Sequence, residues 1–177
     1  MSTRTLERIE TERLVCERLR REHEHELAGL LRDPRVAPMT WPRPGGPTVT
    51  EVSALLAAKI EHWERHGFGM WLLRDRAGGA MVGRGGLQWT RATGADEVEV
   101  GWAIVPERWR EGLATEMALL AVEVAFADLG LPSIVAFTLP HNVASRRVMA
   151  KAGFRYEREI VYVDLPHVLY RRAPDER

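Results

Sequence analysis

The chain has 177 residues, and its 25 Lys plus Arg match its 25 Asp plus Glu, for a formal net charge of zero. That length suits one domain, able to bury about 70% of the surface its unfolded form exposes, so no disulfide or metal staple is required. Balanced charge removes the global basic field with which nucleic-acid and anionic-membrane binders hold their partners.

The start, MSTRTLERIETERL, is charged and contains no apolar signal core. RLVCERL has strand character, and its Cys16 is the single cysteine of the chain, which fits a reducing compartment. No apolar run approaches the roughly 20 residues that a membrane helix requires. The expectation is a cytoplasmic, soluble protein with neither nucleic-acid nor membrane partners. EHEHELAGLLRD, Glu22 to Asp33, reads as a first helix, ended where Asp33 precedes Pro34. APMTWPRPGGPT reads as a loop, and the next helix runs from about Thr50 to Arg65 with Thr48 or Thr50 as its cap and Gly67 as its stop. FGMWLLRD, AMVGRGGLQW and VEVGWAIV are three strands forming a meander. A helix from Gly112 to about Leu129 precedes the strand SIVAFTL, an order that implies a parallel crossover. HNVASRRVMAKAG is the last helix, with Asn142 near its start and Gly153 at its end, and two strands close the chain.

The helix that opens in WREGLATE poses a chemical question. Its surface is apolar nearly all round apart from Glu116 and Glu123, so it is a buried helix, yet no Ser, Thr, Asp or Asn stands where its first N–H groups need a partner. Either water or an anion must satisfy those donors. Gly112 and Ala114 leave room for a close approach, while the helix dipole, Arg108 and Arg110 attract phosphate.

WREGLATE resembles the pyrophosphate-binding turn of the GNAT superfamily of acyl-CoA N-acyltransferases, with Gly112 and Ala114 at the small-residue positions. Trp109 replaces the Gln or Arg of the wider superfamily and is similar to the RimJ/RimL-type branch, which acetylates the N-termini of ribosomal proteins. NVASRRVMAKAGF, ETERLVCERL, HWERHGFGMWLL and HVLYRR resemble the same branch, so the likeness runs from about Glu12 to Arg172. It implies an α/β fold in which a central mixed, mostly antiparallel sheet is flanked by about four helices and splayed near Val105. It also implies acetyl-CoA as co-substrate. The pantetheine arm would lie along the main chain of Ala103, Ile104 and Val105, and the pyrophosphate on Arg110, Glu111, Gly112, Leu113, Ala114 and Thr115. Asn142 and Ser145 would face the thioester end, with Arg147 or Lys151 near a phosphate.

Direct attack by an amine requires that its proton be removed, and an α-amine, with a reference pKa of about 8, gives it up more readily than a lysine at about 10.4. Glu97 and Glu99 fall on one side of their strand because side chains alternate, and Glu99 sits where the branch often carries its carboxylate, so Glu99 is taken as the base with Glu97 as the alternative. Many superfamily members carry a tyrosine acid seven residues after the motif asparagine. Here that position is Met149, which leaves Ser145 to orient or protonate the sulfur. The expected acceptor is a protein N-terminal α-amine. The alternatives are a small amine, such as a polyamine or an amine-bearing antibiotic, and a non-catalytic acyl-CoA-binding domain; a homodimer is left open. GGAMVGRGG fails as a nucleotide P-loop because Arg84 and Gly85 replace Lys and Ser or Thr. His62 and His66, one helical turn apart, lack a third ligand, so no metal is expected.

Overall fold

The computed structural model describes residues 5–175. Eight strands form one sheet: β1 (Arg8–Glu10), β2 (Leu14–Arg18), β3 (Met70–Asp75), β4 (Met81–Thr90), β5 (Glu97–Ile104), β6 (Ile134–Thr138), β7 (Arg155–Tyr162) and β8 (Leu165–Arg172), in the spatial order β1-β2-β3-β4-β5-β6-β8-β7. Every neighbouring pair is antiparallel except β5 and β6. The described residues form five α-helices, α1 (Glu24–Leu31), α2 (Ala37–Thr40), α3 (Val49–His66), α4 (Leu113–Glu123) and α5 (Val143–Lys151).

Local chemistry explains most of these boundaries. At the start of α3, Thr48 Oγ1 accepts from Glu51 N at 3.2 Å and the Glu51 carboxylate accepts from Thr48 N at 2.8 Å, a reciprocal cap that selects Thr48 over Thr50. Gly67 stops that helix at φ 73°, a left-handed turn that costs glycine nothing. One helix is shorter than its periodicity suggests: α1 begins after a 3-10 turn, Arg21–His23, because the His23 ring takes the Arg20 N–H at 3.0 Å. The proline-rich stretch expected as loop contains the single helical turn α2, with Pro38 in its first positions, where a missing N–H is harmless. β1, before the first expected strand, pairs with β2 through Ile9 and Cys16.

The helical run after Gly112 changes character at Val124. Residues Val124–Asp128 form a π turn, closed by Leu129 N to Val124 O at 3.0 Å, with Gly130 and Pro132 beyond it. α4 and α5 bury Leu113, Met117, Ala121 and Met149 against one sheet face, in a cluster that includes Trp71 and Leu87. α1 and α3 cover the other face through Leu27, Leu31, Val52 and Leu56 against Met70 and Leu72. No helix among the described residues is long and apolar enough to cross a membrane.

The sheet opens where its hydrogen bonding changes direction. β5 and β6 share one paired position, Glu99 with Val135. Past that point the strands diverge, so the opening begins just after Glu99 and extends to Val105, earlier than the expected place. Val105 N donates to Val82 O at 2.9 Å, which aims the backbone groups of Gly101, Ala103 and Val105 at β4. Those of Trp102 and Ile104 therefore face the gap.

Candidate active site

One wall of the gap is the start of α4. Gly112, at φ 82°, forms its N-cap without any side-chain hydrogen bond, and Arg110, two residues earlier, also has positive φ at 67°. A left-handed backbone followed by a helix start turns successive N–H groups toward one spot, a geometry that suits an anion. A Cβ built on Gly112 would meet nothing nearer than Arg13 Nη2 at 3.5 Å, so the turn is open on that side. Arg13 holds the turn in place: its guanidinium reaches Glu111 O at 2.6 Å and Glu116 Oε2 at 2.8 Å. Thr11 Oγ1 adds a 2.5 Å bond to Glu116 Oε1, so the ETER segment near the N-terminus anchors the first turn of α4. Leu113 is buried in the core, while Ala114 and Thr115 are half-buried.

Arg108 does not serve as the free phosphate-attracting cation expected from sequence. Its guanidinium pairs with Asp75 Oδ2 at 2.6 Å and Glu111 Oε2 at 2.7 Å, and the same contact holds the Asp75 carboxyl below its usual range. Arg110 and Arg147 are exposed and remain available. Trp109 Nε1 donates to Ile104 O at 2.8 Å, tying the turn to the end of β5 and occupying one of the gap-facing backbone acceptors.

The opposite wall carries the motif asparagine. Asn142 Oδ1 caps α5 by accepting from Ser145 N at 3.2 Å, while its Nδ2 donates to Thr138 Oγ1 at 3.0 Å. Asn142 is thereby committed to holding β6 and α5 together. The half-buried Ser145 hydroxyl has no hydrogen-bond partner among the described residues. Met149 is 1% exposed and packs in the core.

Glu97 and Glu99 share a face of β5 but differ in surroundings. Glu97 pairs with Arg171, which holds its carboxyl below the usual range. Glu99 lies in a cluster that periodicity did not reveal. Gln88, directly across on β4, donates from Nε2 to Glu99 Oε1, and Lys59 of α3 donates to Gln88 Oε1. Burial pushes the Glu99 carboxyl up, and burial with the nearby Arg84 charge pushes the Lys59 ammonium down to about 8. Arg84 and Tyr162 both interact electrostatically with Glu99, and the Tyr162 phenol is pushed up by burial and by that carboxylate. Glu99 Oε2 and Arg84 Nε are cut off from solvent with no partner in hydrogen-bonding geometry, and beside Gln88 the Thr90 hydroxyl is near enough to favour the Glu99 carboxylate. The sequence signal for this cluster is the even spacing of Arg84, Gln88 and Thr90 in β4, which puts three polar side chains on one face of a strand rich in glycine and apolar residues. His62, the metal candidate, engages both ring nitrogens, with Nδ1 donating to Phe68 O at 2.9 Å and Nε2 accepting from Trp89 N at 3.0 Å.

An open helix turn, gap-facing strand backbone and a carboxylate at the mouth of the gap fit an extended phosphate-bearing thioester. Comparison with known proteins gives the same class. The family profile described as Acetyltransferase (GNAT) domain matches residues 13–155, and the chain belongs to that family of acetyl-CoA-dependent enzymes. The uncharacterized N-acetyltransferase YoaA of Bacillus subtilis is 42% identical over 59 residues, a match that spans 33% of each chain, so the likeness covers about a third of that relative. The acetyltransferase from Agrobacterium tumefaciens superposes with a TM-score of 0.80 at 22% identity, over 94% of both chains. Ribosomal-protein acetyltransferases and an aminoglycoside acetyltransferase share the fold at TM-scores from 0.71 to 0.74 and 16–18% identity.

Proposed function

We propose that this protein, one domain with a core of about residues 12–172, transfers an acetyl group from acetyl-CoA to a primary amine by direct attack. A protein N-terminal α-amine is the favoured acceptor, in the manner of the RimJ/RimL-type branch, and the reaction is cytoplasmic. The observation that carries this reading is the Glu99 carboxylate, raised by burial, placed where β5 and β6 part, with one oxygen unengaged. Acetyl-CoA supplies an activated acyl group whose thiolate leaves without strong acid assistance. The N–H groups opening α4, with Gly112 and Arg110, hold the pyrophosphate. Trp102 offers its main chain and Ile104 its N–H to the pantetheine arm, with Ala103 and Val105 shaping the wall from the same strand. Glu99 takes the amine proton, and a raised pKa brings it closer to working pH, where a base is most effective. Ser145 orients the sulfur end, since Met149 can donate nothing.

Thiol release from acetyl-CoA across a panel of peptide and small-molecule amines tests the reading. Turnover with at least one amine, lost in Glu99→Gln while acetyl-CoA still binds, is the expected result; binding without turnover on any amine would assign the chain to the non-catalytic class.

A further inference from the structure

We propose that the acceptor carries an oxygen close to its amine, as an α-aminoacyl group does, and that Arg84 of β4 receives this oxygen while Glu99 of β5 receives the amine. The inference rests on Glu99 being the carboxylate that faces the amine. Arg84 and Glu99 point from the same sheet face, since Arg84 lies across from Ala103 and Glu99 across from Gln88. Between those two cross-strand pairs lies a third, Gly86 with Gly101, which has no side chains on that face. Met70 is the residue that reaches over it: a Cβ on Gly101 would lie 3.2 Å from Met70 Cε, and Arg84 Nη1 lies 3.9 Å from Met70 Sδ. The floor between the two charges is therefore backbone covered by a flexible thioether, which repacks readily around a guest.

Arg84 and Glu99 do not pair with each other across this floor. Each instead keeps a polar atom that is shut from solvent and unpartnered, a donor at Arg84 Nε and an acceptor at Glu99 Oε2. Buried polar atoms are nearly always partnered, and an arginine cannot shed its charge to escape the cost. A partner that offers a hydrogen-bond acceptor to Arg84 and a donor to Glu99 completes both atoms, and an amine next to a carbonyl or carboxylate provides that pair. A third buried orphan, Trp41 Nε1, is again a donor and lies just after α2, whose flanking Val36 packs on Ala103. Orphaned donors thus outnumber acceptors. Lys59 adds a second cation to this face, so a polycationic acceptor would meet two like charges against one carboxylate.

The test is a specificity panel at saturating acetyl-CoA: alaninamide, an alanine-initiated tetrapeptide and free alanine against isopropylamine and spermidine, each rate corrected for its neutral amine fraction. At least one α-aminoacyl acceptor should exceed isopropylamine by about tenfold or more in kcat/KM, with spermidine poorest. The order among alaninamide, peptide and alanine distinguishes a peptide end from a free amino acid as the source of the group. Arg84→Gln should lower the α-aminoacyl values about a hundredfold and isopropylamine far less, because a buried site built to bond a group discriminates strongly against its absence. Calorimetric binding of alaninamide in the presence of coenzyme A should disappear in the same variant. Calorimetry with acetyl-CoA runs alongside, and a wild-type protein that fails to bind it contradicts the acetyltransferase reading itself. Binding accompanied by a flat panel, by a spermidine preference, or by no α-aminoacyl turnover overturns the role of Arg84, and the wild-type panel decides this even if Arg84→Gln does not fold.

Discussion

Glu97 and Glu99 stand two residues apart on one face of β5, yet Glu97 is paired with Arg171 and held low while the half-buried Glu99 lies against Gln88 with its carboxyl pushed up by desolvation. Their roles therefore separate. Glu99→Gln should lower turnover about a hundredfold at neutral pH with acetyl-CoA affinity unchanged. Raising the pH should recover the rate, earlier for a peptide α-amine than for a lysine-like amine, since the former is substantially neutral near pH 8 by its reference value of about 8. Glu97→Gln should retain turnover and instead lose about 1–2 kcal/mol of stability, because Arg171 loses one of its two carboxylate partners and keeps Glu157 and the Ser133 hydroxyl. pH–rate profiles and urea titrations of both variants check the pair, and the roles reverse if Glu97→Gln shows the rate loss.

Gly112 should be the most sensitive position for cofactor affinity. Replacement by Val introduces a branched side chain at φ 82°, a conformation that costs about 1–3 kcal/mol and reorients the N–H groups opening α4. Acetyl-CoA affinity should fall at least tenfold by calorimetry, in a protein that retains its circular dichroism spectrum. Unchanged affinity in the folded variant would reduce the turn to an ordinary helix start.

Ser145→Ala removes an uncommitted hydroxyl and leaves the backbone N–H that Asn142 caps. With a thiolate as leaving group, its absence should cost about tenfold in turnover. A loss of three or more orders of magnitude at unchanged cofactor affinity would make the serine a participant in the chemistry.

Lys59 contributes a pH dependence to stability. Its ammonium is lowered from 10.5 to about 8 by burial, so the folded protein binds that proton less tightly than the unfolded chain does. The stability associated with neutral Lys59 is fully present above pH 10.5 and is lost as the pH falls through about 8. Lys59→Met should therefore gain on the wild type at pH 7, by up to about 3 kcal/mol, and this relative gain should vanish as the pH approaches 10.5. Urea midpoints of both proteins across that range provide the measurement, and a pH-independent difference would mean that Lys59 is not desolvated as described.

Much of this molecule was legible as one-dimensional chemistry. The missing cap before Leu113, a threonine cap at Thr48 or Thr50, the stop at Gly67 and the cap at Asn142 are interactions among residues a few positions apart, so their pattern survives in the linear order, and the structure chooses Thr48 through Glu51. The alternation of β5 likewise placed Glu97 and Glu99 on one face. It could not separate them, because the partner of Glu97 is Arg171, 74 residues away, while Lys59 approaches Glu99 from a helix that precedes β3. The pairing of Arg108 is hidden from the linear order for the same reason, since Asp75 lies 33 residues before it. Local pattern encodes which elements form and where they stop, because capping and periodicity act over one or two turns. Which charges are quenched, which polar atoms are left without partners, and where β5 leaves β6 depend on contacts between distant segments, and these exist only once the sheet has been assembled.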